Sequence, residues 1–252
     1  MPDTDPHLLL DSFAEASKSV RRALDKLTHE QMNTRTGRVG QYGLDLVADG
    51  AALNVLRKLD VAIVSEESLY SGNDDAPVTV VLDPVDGSTN CAHGIAYYAT
   101  SIAAIDADGL LCGYVVNQAT GTEYRAVRGE GATRDGVRVH ASEVVAVEAA
   151  LVQLSGLPAR VLQWGQYRAF GCASLALCEL ATGGADGYVD GGSWHAPWDY
   201  LGGLLMCREA GATVVDARGE ELVTSDPAVR RQLVGAGTET LLEVLRTAAG
   251  RR

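Results

Sequence analysis

Two carboxylates, Asp83 and Asp86, close an apolar run in residues 78–90, VTVVLDPVDGSTN, with Pro84 between them and Gly87, Ser88 and Thr89 just after. A second apolar run, VAIVSEES (61–68), also ends in acids, Glu66 and Glu67, and Asp199 opens the helical pattern PWDYLGG. Any one of these taken alone is most simply a solvated surface acid. Apolar strands that end in acids at two separate places make a shared site the sharper reading. If those ends converge, each pair of acids repels by ~1 kcal/mol at 4 Å in water and by more when desolvated, so a cation must offset them. Oxygen donors without a histidine cluster or thiolate select a hard ion, Mg²⁺ first and Mn²⁺ second. Pro84 fixes the chain leaving the strand, and Gly87 lets backbone approach a ligand closely. Ser88 and Thr89 open a short helical turn whose unpaired N–H groups suit a phosphate. Chelating acids beside an anion seat suggest metal-assisted phosphoryl transfer to water.

The elements that must carry these residues follow from periodicity. Apolar side chains at Leu9, Phe13, Ala16, Val20, Ala23, Leu24 and Leu27 predict an amphipathic helix over 7–30. Residues 31–44 are polar and glycine-punctuated, which predicts a loop, and a second helix fits 49–59, with Asp49 near its first turn. The runs 61–68 and 78–83 are short buried strands. TSIAAID and GLLCGYVVN flank Asp106–Gly109 as a hairpin, and TEYRAVRG and GVRVHAS extend it into an antiparallel meander. AALVQLSG, ADGYVDGG and ATVVDARG alternate as strands with the helices CASLALCELATGG and PWDYLGGLLMCREAG, the latter opening on Pro197 and stopping at Gly211. The fold class is α+β: a mostly antiparallel half over 1–142 and an α/β half over 143–252, which carries Asp199.

Composition narrows the function classes. With 252 residues, 46% of them hydrophobic and 21% charged, the chain can bury a sizeable core. A net charge of −12, with no Lys/Arg run longer than two, disfavours a nucleic-acid polymer or a membrane surface as partner. No run of eighteen apolar residues predicts a membrane span, and the start MPDTDPHLLL lacks the basic region of a signal peptide. Five scattered cysteines, never spaced C-x-x-C, favour reduced core thiols in a cytoplasmic protein over disulfides or zinc.

LDPVDGSTN resembles the D-P-[IL]-D-G-[ST]-T-N signature of the inositol monophosphatase family, the Mg²⁺-dependent, lithium-sensitive sugar and polyol phosphatases. SEES resembles the family's G-E-E-S, and DLVADGAALNVL its D-x-V-T-x-x-D helix start. ATGGADGYVDGG and PWDYLGGLLMCREAGATVVDARG resemble the W-D-x-A-A-G…EAGG segment, so the similarity runs from about residue 38 to 219. The resemblance implies a layered α-β-α-β-α sandwich, often dimeric. It implies that Glu66, Asp83 and the Val85 carbonyl hold one Mg²⁺, that Asp83, Asp86 and Asp199 hold a second, and that Glu67 shapes a third, weaker site or supports the first. Asp49 and Ser88 would be the dyad that orients and deprotonates water, with Glu66 counted among the catalytic residues. The N–H groups of Gly87 and Ser88 would grip the phosphate. Asp190 and the Gly171-Cys172-Ala173 turn would face the alcohol part of a small phosphorylated substrate.

The chain also departs from that pattern. Ser88 stands where threonine is commoner. The spacing before Asp49 is two residues short, which leaves the family's loop lysine without a clear counterpart; Arg38 is either that counterpart or plain loop charge. GSWHAPWD is longer than usual, so His195 is either drawn to the pocket or, more simply, a surface histidine. The segment after VQLSG, which usually helps wall the substrate pocket and subunit contacts, is cut to LPARVLQWGQY. Within the phosphatase class, histidinol phosphate, fructose 1,6-bisphosphate and a nucleotide 3′-phosphate are live alternatives to a polyol or sugar phosphate. A non-catalytic phospho-ligand-binding relative is the rival, and its expected mark, a lost acid or hydroxyl, is missing. RGEGATRDG has no P-loop or G-x-G-x-x-G, which discounts a nucleotide-binding enzyme of another class.

Overall fold

The computed structural model describes residues 5–37, 40–192 and 194–249. Eight strands form the larger sheet: β1 (Ala62–Ser65), β2 (Leu69–Gly72), β3 (Thr79–Asp86), β4 (Ala99–Asp106), β5 (Gly109–Asn117), β6 (Glu123–Val127), β7 (Gly131–Arg134) and β8 (Val137–Arg138). Their order is β2-β1-β3-β4-β5-β6-β7-β8, and only the β1–β3 pair is parallel. The hairpin at Asp106–Gly109 and the meander after it form as the alternation predicts, with the Asp106 carboxylate accepting from the Asp108 N–H. The chain then crosses to a five-stranded sheet of β9 (Leu151–Ser155), β10 (Gln166–Arg168), β11 (Gly187–Asp190), β12 (Thr213–Asp216) and β13 (Leu233–Ala236), ordered β10-β9-β11-β13-β12. The alternation predicted for this half ends at β11, because β13 runs antiparallel to both of its neighbours.

Helices fill the spaces between and outside the sheets. α1 (Pro6–Leu24) starts where the Asp5 carboxylate accepts from the His7 N–H, and it buries Leu9, Phe13, Ala16, Val20 and Leu24 along one stripe. With α3 (Gly43–Leu56) it covers one face of the large sheet, where Val80 and Leu82 of β3 point. Val81, one residue out of phase, faces the opposite layer of α5 (Ala173–Ala181) and α6 (Pro197–Ala210). Burial on both faces is why β3 is apolar almost throughout. α7 (Glu239–Arg246) closes the far face of the small sheet, completing the α-β-α-β-α order.

Two expectations about helices are corrected. The segment 31–44 is not all loop: α2 (His29–Asn33) occupies its start and α3 begins at Gly43, six residues before the predicted helix. The reason is Asp45, whose Oδ2 accepts from the Tyr42 N–H at 2.7 Å and caps the helix from its third position. Asp49 therefore lies a turn inside α3. Arg38 lies outside the described residues.

α6 is held hard against the large sheet. A Cβ on Gly113 of β5 would stand 3.0 Å from the Gly202 carbonyl oxygen, so glycine suits this close crossing. That approach, with Ser101 Oγ donating to the Trp198 carbonyl at 3.3 Å, brings the first turn of α6, and Asp199 with it, to the end of β3 and β4.

Candidate active site

Asp83 and Asp86 would point to opposite faces of a regular strand. The β3–β4 register shifts between them: Asp83 pairs with Ser101 and Asp86 with Ala99, three steps on β3 against two on β4. Pro84, which has no N–H for the ladder, sits in this bulge, and Thr100 Oγ1 donates to its carbonyl at 2.8 Å. The bulge returns both acids to one side. Val85 lies between them, its N–H donating to Asp83 Oδ1 at 3.0 Å.

Glu66 arrives by the parallel ladder. Ser65 pairs with Leu82, and the Glu66 N–H donates to the Leu82 carbonyl at 3.1 Å, which sets Glu66 beside Asp83. Gln41 donates to the Glu67 carboxylate. Asp199 comes from α6, where its Oδ2 accepts from the Ala196 N–H at 2.7 Å. Asp83 is 1% exposed; burial first, then the charges of Glu66, Asp86 and Asp199, push its carboxyl well above the usual range. The same causes, led by burial and the Asp199 charge, push Glu66 up to about 8 and Asp86 upward. Acids from β1, β3, α3 and α6 thus feel one another in a buried cleft.

The dyad expected from Asp49 does not form. Asp49 accepts from Ser65 Oγ at 2.6 Å and braces α3 against β1. The acid that hydrogen-bonds the Ser88 side chain is Asp45, one helical turn earlier, and burial raises its carboxyl to about 7. Sequence reasoning missed it, although the resemblance carried the signal: the D-x-V of the helix-start motif falls on Asp45-Leu46-Val47.

Gly87, at φ 83°, caps the short helix α4 (Ser88–Ala92). A Cβ there would stand 3.1 Å from the Gly171 carbonyl oxygen and 3.2 Å from Cys172 Cβ, so glycine lets the Gly171-Cys172-Ala173 turn close onto the end of β3. Asn90 secures that turn by donating to the Phe170 and Tyr97 carbonyls at 2.6 and 2.7 Å. Ser174 was also missed, and Cys172, expected beside the alcohol part of the substrate, reaches Asp86 as well. Asp86 Oδ2 accepts from the Ser174 N–H (2.7 Å), Ser174 Oγ (2.6 Å) and Cys172 Sγ (3.1 Å), which leaves Oδ1 as its outward oxygen.

Two further expectations are corrected. Asp190 does not face the cleft: it is 0% exposed, and its oxygens accept from the Gly192 and Trp194 N–H groups at 2.9 and 3.2 Å. The longer loop it braces carries His195 inward. His195 is not a surface histidine but 7% exposed, with Nε2 2.7 Å from the Tyr188 hydroxyl and Nδ1 3.5 Å from Asp199 Oδ2. Burial lowers its pKa, but the hydrogen bond and charge of Asp199, then Asp190 and Asp86, outweigh that and raise it.

The donor chemistry fits a hard divalent cation. Glu66, Asp83, Asp86 and Asp199 present oxygens only, and mutual repulsion in a buried site is the strain that a cation relieves. Among the described residues no three His, Cys, Asp or Glu side chains already close on a single point, so the fit rests on donor type and burial and not on a preformed cage.

Fold and site together define a phosphatase of the layered, carboxylate-lined class. The model of the inositol monophosphatase family matches residues 11–249, and the chain belongs to that family and is a phosphoric monoester hydrolase. A fructose-1,6-bisphosphatase/inositol-1-monophosphatase of Archaeoglobus fulgidus is 38% identical over 183 residues, 71% of each chain. A Pasteurella multocida protein named Nus factor SuhB is 30% identical over 220 residues, 80% of this chain and 79% of that one. In fold, a Pyrococcus horikoshii protein described as similar to inositol-1 monophosphatase superposes with a TM-score of 0.84 at 22% identity, covering 100% of both chains. An inositol monophosphatase from Anabaena gives 0.78 at 22% identity over 96% of this chain and 95% of that one. No helix among the described residues is long and apolar enough to cross a membrane.

Proposed function

We propose that the protein hydrolyses a small phosphorylated polyol or sugar with two Mg²⁺ ions, or Mn²⁺ in their place, and a third, weaker ion near Glu67. The observation that carries this is the gathering of Glu66, Asp83, Asp86 and Asp199 in one buried cleft beside the Asp45–Ser88 pair. Glu66, Asp83 and the Val85 carbonyl would hold one ion, and Asp83, Asp86 and Asp199 the other. When bound, the ions supply charge for the phosphoryl oxygens and a more acidic water. The chain's own residues do the rest. Ser88 Oγ, hydrogen-bonded to Asp45, orients the attacking water and passes its proton to the carboxylate, and a carboxyl raised to about 7 suits that base. The Gly87 and Ser88 N–H groups approach the phosphoryl group, and attack is in line without a phosphoenzyme.

The name of the Archaeoglobus relative makes fructose 1,6-bisphosphate the rival substrate for the same chemistry. Five buried cysteines without a disulfide among the described residues support a reducing, cytoplasmic setting. Leu157 and Val161, both largely exposed on the trimmed segment, are apolar side chains that a homodimer would cover. The test is phosphate release from inositol 1-phosphate. Activity should require Mg²⁺, stop with EDTA and vanish in Asp83→Asn, which removes the acid shared by both ions. Full turnover by that variant would refute the assignment.

A further inference from the structure

A cavity of about 180 Å³ adjoins the acids; Asp86 and Asp199 line it together with Gln153, Leu154 and Ser155 of β9. On the reading above, this is where the alcohol part of the substrate lies. Asp190, the acid expected to read it, has turned both oxygens into its own loop. We infer that Gln153 takes over that role, and that the cleft selects a phosphomonoester whose alcohol carries hydroxyls but no second charged group.

Gln153 is 4% exposed, yet Tyr97 OH is 3.4 Å from both its Oε1 and its Nε2, longer than either bond would be if well made. An amide offers two N–H donors and a carbonyl with two lone pairs. One long contact leaves most of that capacity for substrate hydroxyls. Tyr97 itself is backed by Phe170, ring centroids 4.7 Å apart, so the amide is placed by a packed aromatic pair. Phe170 and Ala176 give the cavity an apolar wall for the C–H face of a polyol.

The charges around the cavity argue the second half of the proposal. Its charged or ionisable acid and base side chains are Asp86, Asp199 and His195, with no Lys or Arg among the described residues that line it. His195 spends Nε2 on Tyr188 and turns Nδ1 to Asp199. A second phosphate or carboxylate would be desolvated there with His195, already turned to Asp199, as the one basic side chain among the described residues that line it.

The experiment compares kcat/KM for inositol 1-phosphate, fructose 1,6-bisphosphate and p-nitrophenyl phosphate, whose alcohol has no further hydroxyl. The wild-type protein should prefer inositol 1-phosphate to the bisphosphate by roughly tenfold or more. Gln153→Met should raise KM for inositol 1-phosphate by roughly tenfold with kcat nearly unchanged, and leave p-nitrophenyl phosphate hydrolysis at the wild-type rate. That unchanged rate also shows that the variant is folded. A bisphosphate preference in the wild type, or an equal loss on inositol 1-phosphate and p-nitrophenyl phosphate, would overturn the proposal while leaving the phosphatase reading intact. No turnover of any of the three would overturn both.

Discussion

Glu66, Asp83, Asp86 and Asp45 all come from the large sheet and its outer helix, whereas the groups that brace the cluster from behind come mainly from the small sheet and the layer between. Ser174 and Cys172 grip Asp86 from the start of α5, and His195, seated on Tyr188 of β11, leans on Asp199 at the start of α6. Apart from Asp199, which α6 contributes, one region supplies charge and the other supplies aim. The charge-bearing residues sit in short local motifs. The aiming residues act across long stretches of chain, 88 positions in the case of Ser174 and Asp86. Each carboxylate so held would keep one oxygen for the protein and one for a cation, the division expected when outer contacts orient a metal ligand.

That contrast can be broken first within a single helix. Asp45 and Asp49 stand one turn apart in α3, but only Asp45 reaches Ser88. Asp45→Asn should cut kcat on the order of 10²-fold or more, the usual worth of a positioned base. Asp49→Asn should keep kcat near wild type and lower the thermal midpoint slightly. Equal kinetic losses would erase the distinction drawn between them.

Aim can be removed without touching charge. Ser174→Ala deletes the 2.6 Å hydrogen bond to Asp86 Oδ2 and should raise the Mg²⁺ concentration for half-maximal thermal stabilisation roughly tenfold, with Ser174→Thr restoring it. A lower melting point in EDTA with unchanged Mg²⁺ dependence would reduce Ser174 to a packing role.

The gentlest test is titration. Burial, with the neighbouring charges, holds Glu66 at about 8 and Asp45 at about 7 in the folded protein, above unfolded values of about 4. Without cations, the folded state therefore binds more protons than the unfolded chain between about pH 4 and 8, and stability falls as pH rises through that window. In EDTA the melting temperature should be higher near pH 5 than near pH 8, and Mg²⁺ should flatten or reverse the slope. A melting temperature in EDTA that rises from pH 5 to 8 would contradict the repulsion inferred among these acids.

Much of this was legible in the sequence, for reasons that differ by residue. The apolar run into Asp83, the glycine after Asp86 and the proline before Asp199 mark strand and helix ends, and those signals are local. The layer order came from resemblance. Asp49 was carried over from the family motif, whose spacing is two residues short here, while the helix start itself is set by the Asp45 side-chain cap, which periodicity does not register. Asp190 and His195 exchanged places because a longer loop folds back on its own N–H groups, and loop length says nothing of which side chain turns inward. Gln153 and Ser174 had no motif at all. Their roles arise only once β9 and α5 are packed against the end of β3.

The most direct measurement is anomalous diffraction from crystals soaked in Mn²⁺. The account predicts density within coordination distance of Asp83, bounded by Glu66 on one side and by Asp86 and Asp199 on the other, and its loss in Asp83→Asn. Saturating Mn²⁺ with no density beside Asp83, or with ions only at outer surface acids, would contradict it.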